Sequence, residues 1–436
     1  MTGLDPLLAA HPALAKLARA ALEQPETWAL IAFKGALVKR LGPQGAQQAL
    51  TEFLSASGPV RPEVWPLVGL DELTRGSPHR WTFAEPGPLD LPGVRLVGGG
   101  RSPACRVQGR ALFCARLDDV VTIGRSNVRL IGDRACLDLQ ADEQERYRTD
   151  WWFDPAIVTL DHDAVRGHRP VDIALHLDEC IDLTGVFSPG WGHCVLEFAP
   201  QLLLAEWCSA VPREVPLLVD DGLPSSHYEM LHHLCGGRRP LVRLGFRQAA
   251  QVRRLWAASA PEFWPALRSP GQRFRPEHSS MNPGALARLL ATAPSVPVAA
   301  DGPRRLFLTR TGAAVRLANQ DEVGRRLALE GYTTVCPERL SLAEQLQLVT
   351  GATDVAGAAG SQCLLAIAFG NPDLRTVLFH APELEETPTW SALSEARGQQ
   401  MVILPGETTE PNGLQPYNDL YTVNLADWGR VAEAWI

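Results

Sequence analysis

Arg310 and Arg316, followed by Asn319 and Glu322, form the run in this chain best suited to hold an anion. Two guanidinium forks in an R-x5-R-x2-N spacing fit a diphosphate, which they can grip through paired N–H donors. Further along, Gly357-Ala358-Ala359-Gly360-Ser361 is a turn of small residues. Gly357 and Gly360 would let the backbone approach a phosphate closely, and Ser361 could cap a following helix or donate to a phosphate oxygen. Each feature has a plain alternative. The arginines could be solvated or paired with nearby carboxylates, and the turn could serve only to pack a helix on a strand.

A second group has acid–base character. His193 and Glu197 are four residues apart, so on a helix they share a face, as a proton-transfer pair beside a cleft requires. Asp220-Asp221 follows an apolar run and could bind hydroxyls or act as a base. Glu197, His193 and Asp221 are the base candidates, in that order. The competing readings are a core or capping histidine beside a solvated glutamate, and an acidic pair that merely turns the chain. Asp161-His162-Asp163 has the spacing of a carboxylate clamp for a divalent ion, but a chain with many Asp residues is expected to contain one such triplet by chance. His232-His233 has no carboxylate or Cys at ligand spacing, so no metal site is predicted.

The apolar rhythm says which elements must carry these groups. Leu7, Leu8, Leu14, Leu17 and Leu22 recur at helical spacing, a second run follows from Trp28 to Val38, and Gly42-Pro43 interrupts it. Residues 1–56 therefore read as an N-terminal helical segment. A Pro- and Gly-rich connection and then short alternating runs, punctuated by Gly98-Gly99-Gly100, Gly109, Gly124 and Gly132, make 57–165 a linker and β-meander. Over 166–280 the pattern becomes strand, helix, strand: Val171–Leu175, Val215–Val219 and Leu241–Gly245 are strand-like, 192–207 and 226–235 helix-like. Over 281–436 it repeats more clearly. Strand Arg305–Thr309, helix 316–330, strand Tyr332–Val335, a helix opened by the Ser341–Glu344 capping box, strand Asp354–Ala356, a helix to Phe369 and strand Arg375–Phe379 follow one another. That is the wiring of a doubly wound α/β sheet, whose ligands bind beyond the carboxyl ends of the strands. Arg310 and Gly360 both fall at such ends.

Bulk properties narrow the partners. A chain of 436 residues exceeds one ordinary core, and 45% hydrophobic with 21% charged residues is the profile of a folded protein. The net charge of −8 argues against nucleic acid as a partner. Nine cysteines without a CxxC pair point to a reducing compartment and not to disulfides or zinc. No basic n-region precedes an apolar run at the N-terminus, and stretches such as Leu364–Phe369 fall short of a bilayer span. A cytoplasmic location is expected, with peripheral attachment to membrane biosynthetic machinery left open.

Taken together, five motifs over roughly residues 185–382 resemble the bacterial branch of glycosyltransferase family 61, which includes capsular polysaccharide biosynthesis proteins. They are Gly192-His193 with Glu197 and Pro200; Arg310, Arg316 and Asn319; the passage from Gly331-Tyr332 to Pro337-Glu338; Ser341-Leu342 with Glu344-Gln345; and the turn and helix from Gly357 to Phe369. The resemblance implies a GT-B-like α/β fold with two facing Rossmann-like domains, the first for the acceptor and the second for a nucleotide sugar. It further implies inverting transfer to a glycan or other hydroxyl acceptor, with no metal or other cofactor. On that reading Glu197, His193 and Asp221 are the catalytic candidates, and Arg310, Arg316, Asn319, Glu322, Gly357, Gly360 and Ser361 bind the donor. Where many members have His-Gly this chain has Ala359-Gly360, and where an Asn precedes the histidine by three it has Gly190. A non-catalytic nucleotide-sugar- or carbohydrate-binding homologue is therefore the alternative.

Overall fold

The computed structural model describes residues 5–23, 28–57, 63–139, 153–167, 173–263, 280–298, 301–312, 315–382, 388–410 and 419–435. The N-terminal leucines do form helices, Pro12–Glu23 and Trp28–Ser57, and the second bends at Gly42, whose φ of 70° suits a residue without a Cβ. Leu14, Phe33, Leu37 and Leu50 bury against Trp65 and Val165 of the neighbouring strands. Lys34 is fully buried there and donates from Nζ to the carbonyls of Asp154 and Ile157 at 2.8 and 2.7 Å. These bonds fasten the helical segment to the rest of the chain.

The stretch read as a separate meander is continuous with the sheet that follows it. Its strand Leu112–Ile123 pairs antiparallel with Ala249–Ala258, and beyond that strand the sheet continues in parallel through Ile173–Leu183, Leu217–Asp220 and Leu241–Leu244. Val171, the expected start of one strand, lies outside the described residues. Leu217–Asp220 is buried at every position, as a parallel strand covered on both faces must be.

Six strands of the second sheet are all parallel, in the order Thr333–Val335, Arg305–Leu308, Asp354–Ala358, Arg375–His380, Gln400–Pro405, Arg95–Leu96. The last lies in sequence between two strands of the first sheet, Arg80–Ala84 and Leu112–Ile123, so the chain leaves the first sheet to complete the second and then returns. Taking the five C-terminal strands in sequence, the order is 2-1-3-4-5. The order reverses between Arg305–Leu308 and Asp354–Ala358, and a crevice opens beyond their carboxyl ends at that switch point.

One helix begins later than its pattern predicts: it spans Gln320–Ala328, and ahead of it Leu317 forms a parallel bridge with Tyr421 while Ala318 and Asn319 turn into the helix. Tyr421 N–H donates to the Arg316 carbonyl at 3.0 Å and Ala318 N–H to the Tyr421 carbonyl at 2.7 Å. This pairing with the C-terminal strand Leu420–Thr422 satisfies backbone groups that a first helical turn would have left without partners. The helix region expected at 192–207 is also composite. It runs as α over Trp191–His193, as a π-helix over Cys194–Phe198 and as α again over Ala199–Trp207.

Helices of the two sheets meet in one apolar cluster that includes Val195, Leu202, Leu286, Leu364 and Leu365. A Cβ on Gly192 would lie 3.2 Å from Leu364 Cδ1 and 3.4 Å from Ser361 Cβ, so glycine allows the helix starting at Trp191 to approach the one spanning Ser361–Phe369. All nine cysteines are free thiols, seven of them buried.

Candidate active site

A cavity of about 740 Å³ lies where the two sheets present their carboxyl ends. The residues just past one strand after another line it: Phe187 and Pro189 after Ile173–Leu183, Pro224 after Leu217–Asp220, and Glu262 after Ala249–Ala258. From the second sheet come Arg310 after Arg305–Leu308, Pro337 after Thr333–Val335, Ala359 and Gly360 after Asp354–Ala358, and His380 at the end of its own strand.

One wall carries the acid–base pair. Nδ1 of His193 lies 2.5 Å from Oε1 of Glu197, and the two span the switch from α to π geometry. A π-turn of this sort is a frequent mark of a functional position, because it re-aims side chains that a regular helix would place elsewhere. The imidazole stacks on Phe187, with centroids 4.5 Å apart and planes inclined by 16°, which fixes the ring's orientation. Asp220 supports this wall from behind. Its buried carboxylate accepts from Arg125 N–H at 2.6 Å, Gly185 N–H at 2.9 Å and Ser188 Oγ at 2.6 Å, and so holds the loop that carries Phe187. Burial pushes its pKa up to about 6, against the pull of those hydrogen bonds.

The opposite wall is cationic. Arg310 donates from Nε to Glu338 Oε1 at 3.0 Å, and its backbone is clamped by the Gln320 amide, which accepts from Arg310 N–H and donates to its carbonyl. Arg316 is half-buried; desolvation and then the nearby charge of Arg310 push its pKa down. Two like charges held together in this way favour an anion between or beside them. The N-terminus of the buried helix Ser361–Phe369 reaches the same space through Gly360, Ser361 and Gln362. Gly360 sits at φ 157° and ψ −176°, a region that residues with a Cβ avoid. The first N–H groups of that helix and its dipole add further donors for an anion.

Of the expected site residues, the cavity brings together His193, Glu197, Arg310, Arg316, Gly360 and Ser361. Four others lie outside it. Asp221 is exposed beside Arg243 at 3.7 Å, because its neighbour Asp220 takes the inward position at the strand end. Asn319 holds the C-terminal strand region, donating to the Val423 carbonyl at 2.9 Å and accepting from its N–H at 3.2 Å. Glu322 is exposed and accepts from the Asn319 amide at 3.4 Å. Gly357 is inside a fully buried strand, where a Cβ would meet Cys363 Sγ at 2.9 Å and the Leu308 carbonyl at 3.1 Å. It serves helix–strand packing.

The Asp161-His162-Asp163 triplet is the turn of the hairpin joining Ile157–Leu160 to Ala164–Gly167, where Asp161 N–H donates to the Ala164 carbonyl and its carboxylate faces Arg166 at 3.5 Å. Among the described residues no three His, Cys, Asp or Glu gather as a metal would require, and no helix is long and apolar enough to cross a membrane.

Four lining residues were not singled out from the sequence, Glu262, His227, Gln362 and His380, and Glu338 was named there only as part of a motif, without a role at the site. His380 ends a strand that the sequence does place, Arg375–Phe379, so the rule that singled out Arg310 reaches it directly; Glu262 follows Ala249–Ala258, a strand that the sequence reading did not place. His380 donates from Nδ1 to the Ala381 carbonyl at 2.6 Å, and burial pushes its pKa down to about 4, so the ring is neutral.

Residues 191–377, which hold both walls, match the family model described as Glycosyltransferase 61. No curated protein matches the chain. Among solved structures it is similar to a dodecameric iron-containing heptosyltransferase, TibC, in complex with ADP-D-beta-D-heptose, at 10% identity and a TM-score of 0.23 over 74% of this chain and 80% of that one.

Proposed function

Residues 191–377 belong to glycosyltransferase family 61, and from that premise we propose that the chain transfers a sugar from a nucleotide donor to a hydroxyl acceptor by single displacement with inversion, on two facing GT-B-like halves. The observation that carries this reading is the division of one cavity into an acid–base wall and a cationic wall. The acceptor lies against His193 and Glu197. With the imidazole proton assigned to Nδ1, where the Glu197 carboxylate accepts it, the lone pair is on Nε2 and His193 takes the acceptor proton while Glu197 orients and stabilises the resulting imidazolium. Glu197 is then the positioning residue and His193 the base. The acceptor oxygen bonds to the anomeric carbon as the bond from that carbon to the diphosphate breaks on the opposite face.

The departing diphosphate is held by Arg310, Arg316 and the N–H groups at Ser361 and Gln362. These are fixed before the reaction and aimed where negative charge grows, which lowers the barrier without reorganisation. Since they supply the positive charge, the proposed mechanism needs no metal. The capsular resemblance of the motifs supports surface polysaccharide assembly as the setting, on the cytoplasmic side and with peripheral membrane contact through partners.

Calorimetry with UDP-, GDP-, CMP- and dTDP-sugars, followed by an assay for released nucleotide product, tests the proposal. One nucleotide sugar should bind and slowly release its nucleotide. Binding without release under any acceptor would leave a carbohydrate- or nucleotide-sugar-binding protein, and no binding at all would overturn both readings.

A further inference from the structure

We propose that Glu262 is a sugar-hydroxyl ligand on the acceptor wall, holding a second hydroxyl of the acceptor beside the one that the His193–Glu197 pair deprotonates. The inference rests on the glycosyltransferase reading above.

The backbone at Glu262 is tied down on two sides. It pairs antiparallel with Met281, and its carbonyl accepts from Arg110 Nη1 at 3.3 Å. Arg110 is itself 2% exposed and faces Asp138 Oδ1 at 3.2 Å. The nearby guanidinium is thus engaged by the main chain and by another carboxylate, and the Glu262 side chain is left to the cavity it lines. Glu262 is only 9% exposed, and its buried Oε2 has no hydrogen-bond partner among the described residues. Leaving a buried carboxyl oxygen unpartnered costs stability, and none of the described residues supplies a hydrogen bond to it. Such a group is suited to a ligand that supplies the missing partner.

The chemistry of that partner follows from the protonation state. Burial, and after it the charge of Glu197, push the Glu262 carboxyl up to about 8, while His193 and Arg110 pull it the other way. At neutral pH it keeps its proton and offers both an O–H donor and an acceptor oxygen. A hydroxyl also donates and accepts, so the two match without net charge, whereas a cationic acceptor would find no carboxylate there. On the facing wall, Gln362 presents a comparable demand. It is 6% exposed, its Nε2 bonds the Ala358 carbonyl, and its Oε1 has no partner among the described residues.

The test titrates methyl glycosides of glucose, galactose, mannose and N-acetylglucosamine into protein held with saturating UDP, GDP, CDP or dTDP, using ligand-observed NMR. At least one methyl glycoside should bind the unaltered protein. Glu262→Met should weaken that binding by about tenfold or more, leave nucleoside diphosphate affinity unchanged and raise the melting temperature, because it removes an unsatisfied polar group. Glu262→Gln, which keeps a donor and an acceptor, should retain glycoside affinity within about threefold. Equal glycoside affinity in E262M, or no binding of any methyl glycoside by the unaltered protein, overturns the proposal. Failure of every nucleoside diphosphate to bind is a separate result, and it overturns the glycosyltransferase reading instead.

Discussion

His193 Nδ1 and Glu197 Oε1 stand 2.5 Å apart at the point where an α-turn gives way to a π-helix, with Phe187 stacked on the imidazole. The pair behaves as a unit, since the carboxylate decides which ring nitrogen carries the proton. Glu197→Gln should therefore lower kcat by about 10²–10⁴ while nucleoside diphosphate affinity stays the same. The double variant with His193→Ala should be little worse than H193A alone, as expected for groups that act together. Steady-state kinetics on the four proteins check this, and normal turnover in E197Q would remove the pair from the reaction.

Arg310→Ala should weaken nucleoside diphosphate binding at least about tenfold, the loss expected for one charge-assisted contact. Its ion pair with Glu338 is partly exposed, so the melting temperature should move little. Calorimetry and thermal denaturation on the same samples separate the two effects. Unchanged affinity would take the diphosphate away from this wall.

Gly357 and Ser361 should divide in the same experiment. Gly357→Ala forces a Cβ against Cys363 Sγ and the Leu308 carbonyl and should destabilise the fold by about 1–3 kcal/mol. Ser361→Ala, at the cavity, should instead lower donor affinity with little change in melting. A Gly357→Ala variant with normal stability would show that the strand and helix can part at that point.

The Glu262 carboxyl predicts a pH dependence with a definite sign. Its folded pKa of about 8 lies above the unfolded value of 4.5, so between those values the folded chain holds a proton that the unfolded chain has released. Stability is then lost as pH rises through that window. Relative to E262Q, the unaltered protein should lose melting temperature from about pH 4.5 to about pH 8 and change little beyond. Parallel curves across the whole range would place the proton elsewhere.

Turnover should survive EDTA, because the arginines and the helix N-terminus supply the positive charge that the leaving diphosphate needs. Loss of activity in chelator with recovery on adding manganese or magnesium would transfer that role to a metal ion.

Local rules reach a definite distance in this chain. The 3.6-residue spacing of leucines, the Gly42-Pro43 break, the Ser341–Glu344 capping box and the alternation from Arg305 to Phe379 are short-range patterns, and the helices and parallel strands follow them closely. Capping depends on neighbours within one turn, so Ser341 and Glu344 announce themselves. Strand ends in a doubly wound sheet are likewise readable once the strands are placed, which is why His193, Glu197, Arg310, Arg316, Gly360 and Ser361 could be named from residue types and spacing.

Tertiary structure decided which groups face the cavity and which do not. Asp220 and Asp221 are adjacent and chemically alike, yet a strand sends successive side chains to opposite faces, and only packing against Gly185 and Ser188 decides which one is buried. Arg316 to Ala318 stay out of the helix because Tyr421, about a hundred residues away in sequence, completes their hydrogen bonds. Glu262 is an ordinary surface-type residue by sequence, and its raised pKa comes from burial and from a carboxylate on another element. Burial and charge coupling are sums over neighbours that the fold brings together, so no window of the sequence contains them.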